Sequence, residues 1–140
     1  MIQHVIDRLK PQVETLLVVG RNYVDEQSIP DRPGPGLGPL GGLNAALAHA
    51  AANGFDAVLS SGCDLPDLPQ DLLARLGKGN AFALEQPLLG LWPVALAAVL
   101  DGHLAITTDR SLYRWIAISG ATAVDCGPVT NINFAADLPG

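Results

Sequence analysis

"FDAVLSSGCDLPDLPQDLLARL" (residues 55–76) sets a short apolar run, a polar turn and a helical pattern one after another. The run Phe55 to Ser60 reads as a buried strand, "GCDLPDLP" as its exit turn, and "QDLLARLGKG" as a short helix with a glycine stop. Asp64 stands directly behind Cys63 and directly ahead of Leu65-Pro66, at the mouth of that strand. A carboxylate there can hold Mg²⁺, a hard cation that takes oxygen ligands and keeps several waters. The metal can then neutralise charge that builds on phosphate oxygens during transfer. Alternatively Asp64 caps the helix after Pro66, although Asp67 lies closer to that helix and competes for the task.

The same alternation runs outward in both directions. Upstream, apolar residues at 2, 5, 6 and 9 give a helix that Pro11 should end, because residues before proline avoid the helical region. "TLLVVG" is a strand, "RNYVDEQSIPDRPGPGLGPLGG" a Pro/Gly-dense loop, and "LNAALAHAAANG" an Ala-rich helix closed by Gly54. Downstream, "AFALE" and "PLLGLW" read as two paired strands. "PVALAAVLDGH" reads as a helix with Pro93 in its first turn. "DRSLYRWIAISGA" is a helix capped by Asp109 or Ser111, "TAVDCG" a strand, and "TNINFAADL" a strand exit running into a terminal helix. Strand and helix in repetition imply an α/β fold: a mostly parallel sheet covered by helices on both faces.

At 140 residues the chain reads as one domain, residues 1–140. Apolar residues make up 49% and charged ones 16%, which supports a packed core. The formal charge of −6 argues against a nucleic-acid surface, which needs clustered Lys and Arg. No apolar stretch reaches the roughly 18–20 residues of a membrane span. "MIQHVIDRLK" lacks the continuous apolar core of a signal peptide. Two cysteines, Cys63 and Cys126, fit a reduced, cytoplasmic interior, and three scattered His argue against zinc.

In open sheets of this type ligands sit beyond the carboxyl ends of the strands. Three polar clusters fall there. Besides the Cys-Asp turn, "PGPGLGPLGGLNAAL" lets backbone approach a ligand just before a helix begins, or is a plain loop. It is neither a P-loop nor a dinucleotide fingerprint. Asp31, just upstream, can accept hydrogen bonds from a nucleobase or sugar hydroxyl, or serve as a turn residue. In "TNINF", Asn131 and Asn133 face the same way on an extended segment and suit a heterocycle or phosphate, or form Asx turns. Arg110 and Arg114 lie four apart on one helix face, available to an anionic substrate or simply solvated. Cys63 reads as a small buried filler.

Taken together, "PDRPGPGLGPLGGLNAAL", "CDLPDLPQDLLARL", "LLGLWPVAL", "RSLYRWI" and "NINFAADL" resemble, in order and spacing, the MobA-type molybdenum cofactor guanylyltransferases. "LKPQVETLLVVGRN" resembles that family's helix and second strand. The resemblance implies a three-layer Rossmann-like sandwich of the nucleotide-diphospho-sugar transferase type. It implies transfer of GMP from GTP to molybdopterin, with Mg²⁺ and release of pyrophosphate. By that resemblance Asp64 is the catalytic Mg²⁺ ligand and also contacts the nucleotide. Asp31 contacts the guanine nucleotide, Gly38 shapes its pocket, and Asn131 and Asn133 lie near the pterin.

One departure stands out. The family's opening strand and its Leu-Ala-Gly-Gly-x-Ser-x-Arg-Met-Gly-x-Asp-Lys loop, which wraps the triphosphate, occur nowhere in these 140 residues. That strand would sit between those built from "TLLVV" and "AVLSS", so its absence leaves two unpaired edges or forces them together. Unpaired edges invite association between copies. Guanylyl transfer weakened by the missing loop is therefore one expectation, and a non-catalytic binding or interaction module on the same fold the other. A cytidylyl- or sugar-type nucleotidyltransferase is a third.

Overall fold

The computed structural model describes residues 2–19, 26–34, 38–62, 71–77, 79–84, 86–106 and 111–126. Helix α1 (Ile2–Leu9) buries Val5 and Ile6 on the face its apolar spacing marks out. The chain does not stop before Pro11 but tightens into a 3₁₀ turn, Lys10–Gln12. Proline's fixed φ and missing N–H are tolerated in such a first turn.

Strand β1 (Leu17–Val19) pairs in parallel with β2 (Gln27–Ile29), Leu17 opposite Gln27 and Val19 opposite Ile29. β2 lies inside the stretch read from sequence as loop, because Gln27 and Ser28 supply no apolar signal. Helix α2 (Pro39–Ala52) starts before the Ala-rich run, taking in Pro39 and two glycines, and ends at Asn53 with Gly54 at φ +78°. Then come β3 (Ala57–Ser60), α3 (Leu72–Leu76), β4 (Ala81–Ala83), β5 (Gln86–Pro93), α4 (Leu96–Ile106), α5 (Leu112–Ser119) and β6 (Thr122–Val124). Ser111 is the α5 cap: its Oγ accepts the Arg114 N–H at 3.2 Å. Pro93 was expected in a helix but ends β5 opposite Ala57, and α4 starts three residues later. Without an N–H, proline fits the end of a strand better than its middle.

The strand order of the larger sheet is β3-β5-β4-β6. β3, β4 and β6 share one direction, and β5 runs against them as the returning arm of the expected β4–β5 pair. Side chains sort by alternation along these strands. Ala81, Ala83, Leu89 and Leu91 face α1 and α3, packing with Val5, Leu72 and Leu76. Phe82 and Trp92 face the other way, into a core with Leu40, Leu43, Leu47, Leu100, Leu104 and Trp115 from α2, α4 and α5. The result is helix, sheet, helix: the α/β class read from the sequence.

Within the second core Trp92 and Trp115 meet at 5.8 Å between ring centres, tilted by 49°. The Trp92 Nε1–H donates to Ser60 Oγ at 2.8 Å, and the Ser60 hydroxyl donates to the Leu88 carbonyl at 2.7 Å. The indole lies across Gly90, its same-face neighbour two residues back, so closely that a methyl there would overlap the ring.

Among the described residues β1 pairs with β2 and β3 with β5, and β1 and β3 belong to separate sheets. Among the described residues β1 is half of a two-stranded sheet and β3 is an edge of the four-stranded one. Helix α2 packs against both strands.

Two glycines give opposite expectations. Gly90→Ala should destabilise the fold by about 1–3 kcal/mol, the usual cost of overpacking a core. Gly102→Ala, on α4 with nothing within 4 Å of the added methyl, should be neutral or stabilising by up to about 1 kcal/mol. Urea unfolding followed by tryptophan fluorescence checks both, and equal effects would show that Trp92 does not lean on Gly90.

Candidate functional site

Asp31 lies between the end of β2 and the start of α2. Two backbone contacts fix the segment: the Arg32 N–H donates to the Gly41 carbonyl at 3.0 Å, and the Asn44 Nδ2 donates to the Arg32 carbonyl at 3.2 Å. Both partners sit in the first two turns of α2, so the segment is laid along the start of that helix. A methyl built on Gly42 would lie 3.7 Å from Asp31 Oδ1 and 3.6 Å from Val19 Cγ1. The Asp31 carboxylate therefore stands beside the carboxyl end of β1 and the first turns of α2.

Gly38 is the residue before α2, at φ +66°, a backbone conformation that favours glycine. It offers no side-chain cap, Pro39 has no N–H, and the first turn carries no acid of its own. A helix start attracts anionic groups, and the nearby carboxylate shown by the contacts is that of Asp31. Of the residues singled out in the sequence, the structure thus brings Asp31 and Gly38 to the same end of α2.

Asp64, Asn131 and Asn133 lie outside the described residues, as do Cys63 and Arg110. Arg114 is exposed on α5 (Leu112–Ser119), and the reading that pairs it with Arg110 on one helix face falls partly outside the described residues. Cys126 is buried, and that burial pushes its thiol up from the ordinary value. Among the described residues no group of three or more His, Cys, Asp or Glu gathers as a metal centre. Asp64, the residue read as the Mg²⁺ ligand, lies outside the residues to which that statement applies.

Two polar residues next to Asp31 were missed. Asn44 is 1% exposed, and its Nδ2 reaches Asp101 Oδ1 at 3.1 Å as well as the Arg32 carbonyl. The Arg32 Nε approaches the same Asp101 oxygen at 3.4 Å. These contacts, the Asn44 hydrogen bond first and the Arg32 one next, hold the Asp101 carboxyl below its usual range against a small opposing effect of burial. The signal for Asn44 was present: residues 40, 43, 44 and 47 form one helix face, and Asn44 is the polar member among three leucines. Asp101, half-exposed in an Ala-rich helix, gave no such sign.

A family model described as the MobA-like NTP transferase domain matches residues 1–123. The chain is 34% identical over 145 residues to a molybdenum cofactor guanylyltransferase of Rhodobacter capsulatus, spanning 93% of this chain and 75% of the relative. Against one from Nitrobacter hamburgensis it is 32% identical over 166 residues, spanning 99% and 78%. Against one from Acidiphilium cryptum it is 39% identical over 111 residues, spanning 74% and 57%. No helix among the described residues is long and apolar enough to cross a membrane.

The lowered Asp101 carboxyl makes a linkage prediction. Because the folded state binds that proton more weakly than the unfolded chain, the contribution is present above the ordinary carboxylate range. It is lost as pH falls through the folded value. Asp101→Asn should flatten this acid-side slope and leave stability near neutral pH slightly lower, the carboxylate being half-exposed. Urea unfolding at a series of pH values reads it, and parallel wild-type and variant curves would refute it.

Proposed function

The chain belongs to the MobA-like NTP transferase family, and on that premise we propose that it carries a guanylyl-transfer site of molybdenum cofactor biosynthesis. The observation that carries the reading is the extent of the likeness: relatives named molybdenum cofactor guanylyltransferase align with 93–99% of the chain. In the proposed reaction a phosphate oxygen of molybdopterin attacks the α-phosphorus of GTP. The new P–O bond forms as the α–β bridge breaks, and pyrophosphate leaves with the bond electrons.

Asp31 would hold the nucleoside end. A carboxylate accepts two hydrogen bonds side by side, which matches paired N–H donors on a guanine edge or two ribose hydroxyls. Gly38 would let the nucleotide approach the backbone before α2. Asp64, four residues beyond the end of β3 at Ser60, would hold Mg²⁺, which supplies charge neutralisation at the phosphates. Asn131 and Asn133 would contact the pterin. The setting would be the cytoplasm, where both thiols stay reduced.

These 140 residues contain no Gly-Gly-x-Ser-x-Arg-Met-Gly stretch. Loss of one oxyanion donor costs about 3 kcal/mol, and a whole phosphate clamp costs more. Turnover by these residues on their own is therefore weak, with pterin affinity kept and nucleotide affinity much reduced.

A second reading, a non-catalytic module, draws support from the edges of β1 and β3 that have no strand partner among the described residues, which would present ladder groups to another strand. Two copies could associate through them, and analytical ultracentrifugation across a concentration range would register such dimers.

Transfer of labelled GMP from GTP to molybdopterin tests the main reading. The expected rate lies well below that of a full-length relative and is abolished by Asp64→Asn. A rate comparable to the relative's overturns the claim of impairment. Calorimetry showing no affinity for either GTP or molybdopterin moves the assignment to the second reading.

A further inference from the structure

We propose that Asn44 and Asp101 are positioning residues for Asp31: together they clamp the Asp31–Arg32 segment onto α2 and α4, and so set affinity for the nucleoside end of GTP. The inference rests on the reading of Asp31 as a nucleoside contact. Its basis is the hydrogen-bond arrangement around a single amide.

The Asn44 Nδ2 has two hydrogens, and both are used, one on the Arg32 carbonyl at 3.2 Å and one on Asp101 Oδ1 at 3.1 Å. Both partners are acceptors, so the orientation of the amide is fixed by chemistry: a flipped Asn44 would set oxygen against oxygen at both. The other end, Oδ1, is buried with no partner among the described residues. Asn44 is therefore held in the core by what its nitrogen grips. Asp101 closes the ring, taking the Arg32 Nε at 3.4 Å on the same oxygen. Arg32 is thus held at three points, by its N–H on Gly41, its carbonyl on Asn44 and its guanidinium on Asp101. Asp31 is the adjacent residue, and its carboxylate lies beside Gly42, one residue past the Gly41 anchor. Freeing the Arg32 carbonyl would let the Asp31 carboxylate swing off the helix start. A nucleoside would then have to order that segment as it bound, which lowers affinity.

The group involved in each contact sets the pattern of variants. Asp101→Asn keeps an oxygen for the Asn44 nitrogen and the Arg32 guanidinium, whereas Asp101→Ala removes it. Asn44→Ala removes both bonds of the amide and frees the Arg32 carbonyl, leaving the Gly41 and Asp101 contacts of Arg32. Asp101 is half-exposed, so its variants keep the argument testable should Asn44→Ala fold poorly.

The test is an NMR titration of the 140-residue chain with GTP, which reads weak binding directly, together with hydrogen exchange at the Arg32 amide. In Asn44→Ala and Asp101→Ala, that amide should exchange about tenfold faster relative to amides of α4, and the GTP dissociation constant should rise about tenfold. Asp101→Asn should stay near wild type in both. In an Asp31→Ala background, Asn44→Ala should weaken GTP no further, a result that general loosening of the fold would not give. If Asp31→Ala weakens GTP but Asn44→Ala and Asp101→Ala do not, the inference fails while the nucleoside role of Asp31 stands. If Asp31→Ala leaves GTP binding unchanged, or the wild-type chain shows no GTP-dependent shifts, the nucleoside role fails and the inference falls with it. Unchanged Arg32 exchange in both alanine variants also overturns the clamp.

Discussion

Helix α2 is the constraint on which the arrangement depends. Among the described residues β1 and β3 share no ladder. α2 packs on both, and its buried Leu40, Leu43 and Leu47 lock into the core of Trp92, Leu100 and Trp115. Each fully buried leucine contributes roughly 1.5–3 kcal/mol. Among the described residues, the packing of α2 on both strands relates the Asp31 segment to the end of β3. A ladder tolerates few registers, whereas a packed helix can shift slightly as its neighbours repack. The placement of the Asp31 segment relative to the end of β3 thus depends on the softer of the two kinds of restraint.

The placement of charge bears on the same site. The chain holds eight Lys and Arg against fourteen acids. Lys10, Arg32 and Arg75 are each engaged with an acid, Glu26, Asp101 and Asp71 respectively. Arg75 also reaches the Cys126 carbonyl, joining α3 to the end of β6. These cations brace elements against one another. A triphosphate needs several positioned donors, and a cation already holding a carboxylate must give it up before it can serve.

Much of this was legible in the sequence because the strong signals were local. Solid apolar runs marked β1, β3 and β5, glycine stops closed α2 and α3, and Ser111 capped α5 as its residue type suggests. The failures have physical causes. β2 is three residues of mixed polarity held by pairing with β1, and pairing partners are not written in a local window. Pro93 is tolerated both at a helix start and at a strand end, and the long ladder of β5 with β3 decided for the strand. Asp31 could be chosen for its residue type and neighbours. The ring that holds it could not, because Arg32, Asn44 and Asp101 come from three separate segments and meet only in the fold.

Asn44 shows what that ring costs the protein. Its carbonyl oxygen is buried without a partner among the described residues, a condition that costs about 1–3 kcal/mol. Its helix position lies on the face of three buried leucines, where an apolar side chain would pack against the same neighbours. Core stability alone would therefore not select asparagine. The residue is accounted for by the two bonds its nitrogen makes, and of these the bond to the Arg32 carbonyl secures backbone rather than another side chain. Natural sequences depart from local rules of this kind chiefly where something other than stability is being held. Here that something is the segment bearing Asp31, at the start of a helix that also joins the two sheets.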